Sequence, residues 1–173
     1  MRNNSGAITD FTLITHRDQI QIPYCGDRSL FSSVGASIKK QYEESYTKGL
    51  QWRLKDQVIK VYERNWAFKG FPSPAFDKVV ALYERELWVF DAEGDPIQEI
   101  SFPYELLYGE PVYINNKDPN PPQYFMDIYP LQRKGGGFDI CVKMVFNLDW
   151  WQTRILNTVD FTFGEVVGTT GRI

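Results

Sequence analysis

Histidine is nearly absent from this chain, with His16 the only one among 173 residues. That excludes multi-histidine zinc sites, two-histidine phosphodiesterases and most acid–base schemes built on a histidine pair. Cysteine is scarce as well. Cys25 and Cys141 form no ligand knuckle with each other or with His16, so neither a metal nor any other cofactor is expected. The opening stretch from Met1 to Asp10 has no apolar h-region, which favours free thiols over a Cys25–Cys141 bridge. It also points to the cytoplasm or a virion rather than the classical secretory route, where Asn3-Asn4-Ser5 would have served as a glycosylation acceptor. No run of eighteen apolar residues occurs, so a membrane-spanning helix is not expected. Nor is there an excess of charge: 22 acidic and 19 basic residues leave a net charge of -3, too little to draw in nucleic acid or an anionic membrane.

Aromatic residues are plentiful. Twelve Phe, ten Tyr and five Trp make up 16% of a chain that is 43% hydrophobic, a composition that suits strands and is far from that of disordered chains. A length of 173 residues fits one domain able to bury its own core. The most regular stretch is 138–148, where Phe138, Ile140, Val142, Met144, Phe146 and Leu148 alternate with Asp139, Cys141, Lys143, Val145 and Asn147. A period of two marks an antiparallel strand with one buried face. Its other face and its ends are where function is expected.

Around that strand the spacing predicts a short hairpin over 7–24, with His16-Arg17-Asp18 as its connection and Pro23 as its stop. Leu30, Phe31, Val34, Ile38 and Tyr42 recur at helical spacing behind Ser29, predicting a helix over 30–47. Residues 51–68 turn β-like. Ser73 and Pro74 resemble an N-cap and a first helical residue, and with Phe76, Val79, Val80, Tyr83 and Leu87 they predict a second helix over 74–86. A hairpin is expected over 87–100, a small strand over 111–114, a Pro-rich loop over 115–122 and a strand over 124–129. Residues 149–158 read either as a short helix carrying Trp151, Ile155, Leu156 and Val159 on one face or as continued strand, and a last strand is expected over 158–167.

The chemical motifs are weak. His16-Arg17-Asp18 matches a kinase catalytic loop in letters only, with no Gly-rich loop or Asp-Phe-Gly to accompany it. Arg133 and Lys134 precede Gly135-Gly136-Gly137, whereas a phosphate loop needs its lysine after the glycines and a helix behind it, so a hairpin loop is favoured. Asp91, Glu93 and Asp95 imitate half a calcium loop, but Phe102 stands where the closing glutamate belongs. Glu84 and Glu86 are two carboxylates of the kind glycoside hydrolysis needs, and such pairs are common on surfaces. Pro121-Pro122-Gln123-Tyr124 fits the PPxY pattern that WW domains recognise. Trp52, Trp66, Trp88, Trp150 and Trp151 could line a pocket, though packing or interface anchoring is the commoner use.

The expected fold is therefore α+β: a mainly antiparallel sheet of seven to nine strands, as a sandwich or partial barrel, with one to three helices. The expected function is a non-enzymatic structural or assembly protein, in its most concrete form a phage virion or tail-assembly component. It would associate with itself or with other proteins, and not with nucleic acid or membrane. Trp150, Trp151, Lys143, Arg133, Lys134 and Tyr124 are the interface candidates. The alternative is a β-rich module holding a small ligand in an aromatic-lined pocket.

Overall fold

The computed structural model describes residues 8–15, 19–20, 47–62, 68–107, 123–147 and 150–171. Among them are twelve strands in three four-stranded antiparallel sheets. In spatial order the N-terminal sheet is β2 (Gln19–Ile20), β1 (Ile8–Thr15), β3 (Thr47–Leu54) and β4 (Gln57–Tyr62). The middle sheet is a meander of β5 (Phe68–Pro72), β6 (Lys78–Tyr83), β7 (Glu86–Asp91) and β8 (Pro96–Ile100). A second meander forms the C-terminal sheet: β9 (Tyr124–Gln132), β10 (Phe138–Asn147), β11 (Trp150–Leu156) and β12 (Phe163–Gly171).

Side-chain alternation decides how the sheets stack. Val79, Ala81 and Phe90 of the middle sheet share one core with Ile8, Leu13, Leu50 and Trp52 of the N-terminal sheet. Val80, Leu82, Leu87 and Val89 share another with Ile128, Ile140, Val142, Met144 and Phe146 of the C-terminal sheet. The molecule is thus a three-layer β stack whose central layer is covered on both faces. Such a strand needs apolar residues on both sides and loses its alternation, as Val79-Val80-Ala81-Leu82 does.

That loss of alternation is why the expected helix over 74–86 is instead a hairpin. The hydroxyl of Ser73 accepts the amides of Asp77 and Lys78, each at 3.3 Å, and donates to Asp77 Oδ1 at 2.7 Å. Ser73 therefore caps a turn rather than a helix. Phe76 lies at φ 56°, outside the right-handed helical region, and packs against both cores. Residues 149–158 are likewise not helical where described, since β11 runs through them. The final strand starts at Phe163, later than expected, because Asn157 to Thr162 close a turn through Asn157 N–H to Thr162 O at 2.9 Å. Of the expected helix over 30–47, residues 30–46 lie outside the described residues and Thr47 begins β3. The one helical element among the described residues is a 3-10 turn, Tyr104–Leu107, so the fold described is mostly antiparallel β rather than α+β, with more strands than the seven to nine expected. The hairpin over 87–100 is present as β7 and β8. β1 and β2 pair as the expected N-terminal hairpin, although β1 pairs far more extensively with β3. The expected strand over 111–114 and loop over 115–122 lie outside the described residues.

The layers are cross-linked by a few polar contacts. Trp52 Nε1 donates to the carbonyl of Ala92 at 2.7 Å, tying the N-terminal sheet to the turn after β7. Gly94 in that turn sits at φ +93°, and a Cβ there would stand 2.7 Å from Ile59 Cγ2 of β4. On the other side of the middle layer, Lys69 Nζ pairs with Asp127 Oδ1 at 2.7 Å, joining β5 to β9.

The edge strands β4, β5, β8, β9 and β12 each carry something that opposes strand addition. β4 carries Lys60; β5 carries Lys69 and Pro72; β8 carries Pro96 and Glu99. β9 contains Pro130, which lacks an N–H to donate, and its register with β10 shifts once. The register of β12 with β11 shifts twice, and such bulges twist an edge out of line.

Candidate interaction face

β10 divides its residues between two environments. Phe138, Ile140, Val142, Met144 and Phe146 are buried against the middle sheet, each making part of the core. Leu148 lies outside the described residues. Asp139, Cys141, Lys143 and Val145 point the other way, onto the outer face of the C-terminal sheet. Residues opposed in register share a face, so the pairing of β10 with both neighbours sets out this surface in rows. Val145 lies between Tyr124 and Trp151, Lys143 between Asp127 and Thr153, Cys141 between Tyr129 and Ile155, and Asp139 beside Leu131.

Burial on this face follows side-chain size. Cys141, Thr153 and Val145 are buried. Tyr129, Leu131, Lys143, Trp151 and Ile155 are half-buried and form what the face presents. Lys143 folds over Trp151, with Nζ 3.9 Å from the ring centroid. A cation on an indole is worth about 0.5–1 kcal/mol when exposed and roughly 2 kcal/mol when water is excluded, so the pair strengthens if something covers it.

The other expected interface residues are spread around this pair. Tyr124 shares the Trp151 row but is separated from it by Val145, and Arg85 of the β6–β7 turn lies 4.3 Å from the Tyr124 ring centroid. Arg133 closes the far end: its Nε donates to Asp139 Oδ2 at 2.8 Å and its Nη2 to Asp139 Oδ1. The hydrogen bonds it donates to Asp139, together with the carboxylate charge, raise the guanidinium pKa further. Lys134 is exposed at the turn. Trp150 opens β11 with its backbone paired to Asn147 and Gly171; its side chain lies outside the described residues. The sequence missed Tyr129, Leu131, Thr153 and Ile155, because a row is a property of register, which one strand's sequence does not state.

The weighed chemistries find little support in this geometry. With Arg133 committed to Asp139, the Gly135–Gly137 segment is an open turn, Gly136 at φ +92° and Gly137 at φ +73°, closed by Arg133 N–H to Gly137 O at 3.1 Å. Asp91 Oδ1 accepts the Asp95 amide at 2.9 Å, so this carboxylate serves its own turn. Glu86 accepts Trp88 Nε1 at 3.0 Å. Cys141 is a free thiol that burial, and secondarily the charge of Asp139, pushes up to about 11, which makes it a poor nucleophile. Among the described residues no three His, Cys, Asp or Glu side chains are placed to hold a metal ion, and no helix is long and apolar enough to cross a membrane. His16, Cys25, Trp66, Pro121 and Pro122 lie outside the described residues. No protein-family model, curated protein or solved structure matches the chain.

Proposed function

We propose that this protein is a non-enzymatic assembly component that docks on protein surfaces, copies of itself included, through the outer face of β9 to β12. The observation that carries this role is the Lys143–Trp151 pair on a face turned away from both cores, flanked by Tyr129 and Ile155. Trp and Tyr are the residues enriched at the centre of protein interfaces, and the Trp151 ring is here held in place by the lysine above it. The guarded edges direct association to this face rather than to strand addition. A virion or another large assembly is the setting proposed for it. The competing pocket role would place a ligand in the hollow of a curved sheet, but the two spaces between the layers are filled by buried side chains such as Val79, Val80, Leu87 and Met144.

Sedimentation velocity over a wide concentration range tests the role. The expected outcome is reversible self-association that weakens when Trp151 is replaced by alanine. A native chain that stays monomeric throughout would overturn the assembly role, and oligomers indifferent to Trp151→Ala would remove Trp151 as an anchor.

A further inference from the structure

The outer face of the C-terminal sheet carries charges of opposite sign placed symmetrically about one of its rows. Asp139 and Lys143 lie on it at equal distances on either side of Cys141, which sits in the row Tyr129–Cys141–Ile155. Resting on the docking role proposed above, we infer that two copies pack face to face about a two-fold axis running along this row, each Lys143 meeting the partner's Asp139.

The charges select the axis. Moved to the Lys143 row, it would set Lys143 against the partner's Lys143; moved to the Asp139 row, it would set carboxylate against carboxylate. At the Cys141 row each Asp139 stands between its own Arg133 and the partner's Lys143, an alternation of sign that only this placement gives. The outer rows match as well. Trp151 comes toward the partner's Asn157–Thr162 turn, which leaves the end of β11 and carries Val159. Val159 is 85% exposed, the most exposed large hydrophobic among the described residues. Tyr124, at one end of β9, comes level with the partner's Arg133 at the other, a cation opposite an aromatic ring. The small buried residues Cys141 and Thr153 leave the central rows low enough for a second sheet to approach.

Four strands about 4.8 Å apart and nine residues about 3.3 Å apart give a face of roughly 550 Å² per copy. The pair would bury on the order of 1,000 Å² in total, the lower end for a specific interface, so association in the micromolar range is expected.

Sedimentation velocity between about 1 and 500 µM brackets that range. Lys143→Asp and Asp139→Lys should each weaken the dimer about tenfold or more, and the double charge swap, made together with Arg133→Gln so that the introduced lysine does not face a guanidinium, should return it to within about threefold of the Arg133→Gln chain, because in a symmetric interface the swap rebuilds both cross-pairs. Val159→Lys, at a position too exposed to disturb the core, should weaken the dimer several-fold in a fully folded chain. A double swap no better than the single changes, or a Val159→Lys dimer as tight as the native one, overturns this arrangement. Oligomers that no charge change weakens also overturn it but leave the assembly role standing. A native chain that is monomeric at every concentration overturns both.

Discussion

The middle and C-terminal sheets are both four-stranded antiparallel meanders, yet their strands carry different sequence patterns because they have different neighbours. In β6 and β7 successive residues serve opposite cores: Val79 one and Val80 the other, Val89 one and Phe90 the other. In β10 alternate residues serve one core, while Asp139 and Lys143 stand on the far side. A strand's pattern thus records how many of its faces are covered. The middle sheet contributes both of its faces to cores. The C-terminal sheet obtains its share of the core from five residues of β10 together with Phe125, Ile128 and Leu156, and the opposite face of β10 belongs to neither core.

The most forceful way to break this contrast is to truncate side chains on each face of each sheet and follow chemical denaturation. On β7, Phe90→Ala should cost about 3–5 kcal/mol and Leu87→Ala about 2–5 kcal/mol, although the two residues belong to different cores. On β10, Phe146→Ala should cost about 3–5 kcal/mol whereas Lys143→Ala should stay within about 0.5 kcal/mol of the native protein. A Phe90→Ala chain as stable as the native one would mean that the middle sheet is covered on one side only. Next in size is Gly94→Ala, which combines a positive φ with a Cβ close to Ile59 and should cost about 1–3 kcal/mol. An unchanged denaturation midpoint would show that the β7–β8 turn is not seated on β4.

The thiol on the outer face offers a smaller, chemical comparison. With its pKa pushed up to about 11, Cys141 should alkylate at pH 8 on the order of 100-fold more slowly in the folded chain than a cysteine of ordinary acidity, each pKa unit being tenfold in thiolate. Peptide mass mapping reads this at Cys141 alone, and rapid labelling would mean that the face opens. The smallest effect concerns Asp77, in the turn feeding the middle sheet. Its partial burial opposes ionisation, but hydrogen bonds from Lys78 and Ser73 outweigh that and hold its carboxyl below the usual value of 3.8. A folded pKa below the unfolded one stabilises at neutral pH, and the contribution fades as pH falls below the unfolded value toward the lower folded one. Asp77→Asn should therefore flatten the acid limb of a stability–pH curve slightly. A limb that keeps its native slope would assign the acid response to other carboxylates.

What the sequence made legible follows the same division. The strand over 138–148 was readable because water on one face and core on the other impose a period of two, and β10 occupies Phe138 to Asn147. The hairpin over 87–100 was readable from Asp91 to Pro96, whose turn chemistry does not depend on the layers around it. The segment 74–86 was misread because Val79 and Val80 are both core, and a short apolar run buried on two sides looks the same as a buried helix. Part of the candidate site was legible: Lys143 and Trp151 stood out by type, but nothing local states that Val145 pairs with Trp151, a register that places Lys143 over the indole. Tyr129 and Ile155 escaped notice for the same reason.

The guarded edges also set a limit on size. A sheet that accepts another strand in its own plane can go on accepting strands, and the product is a fibre with no natural end. Here Lys60, Lys69, Pro72, Pro96, Pro130 and the two register shifts of β12 stand across that direction of growth in all three layers. Contact through one self-complementary face consumes that face in both copies and ends the process. A molecule that pairs as proposed above counts to two and stops, and anything larger would then be built by a different partner that receives the finished pair.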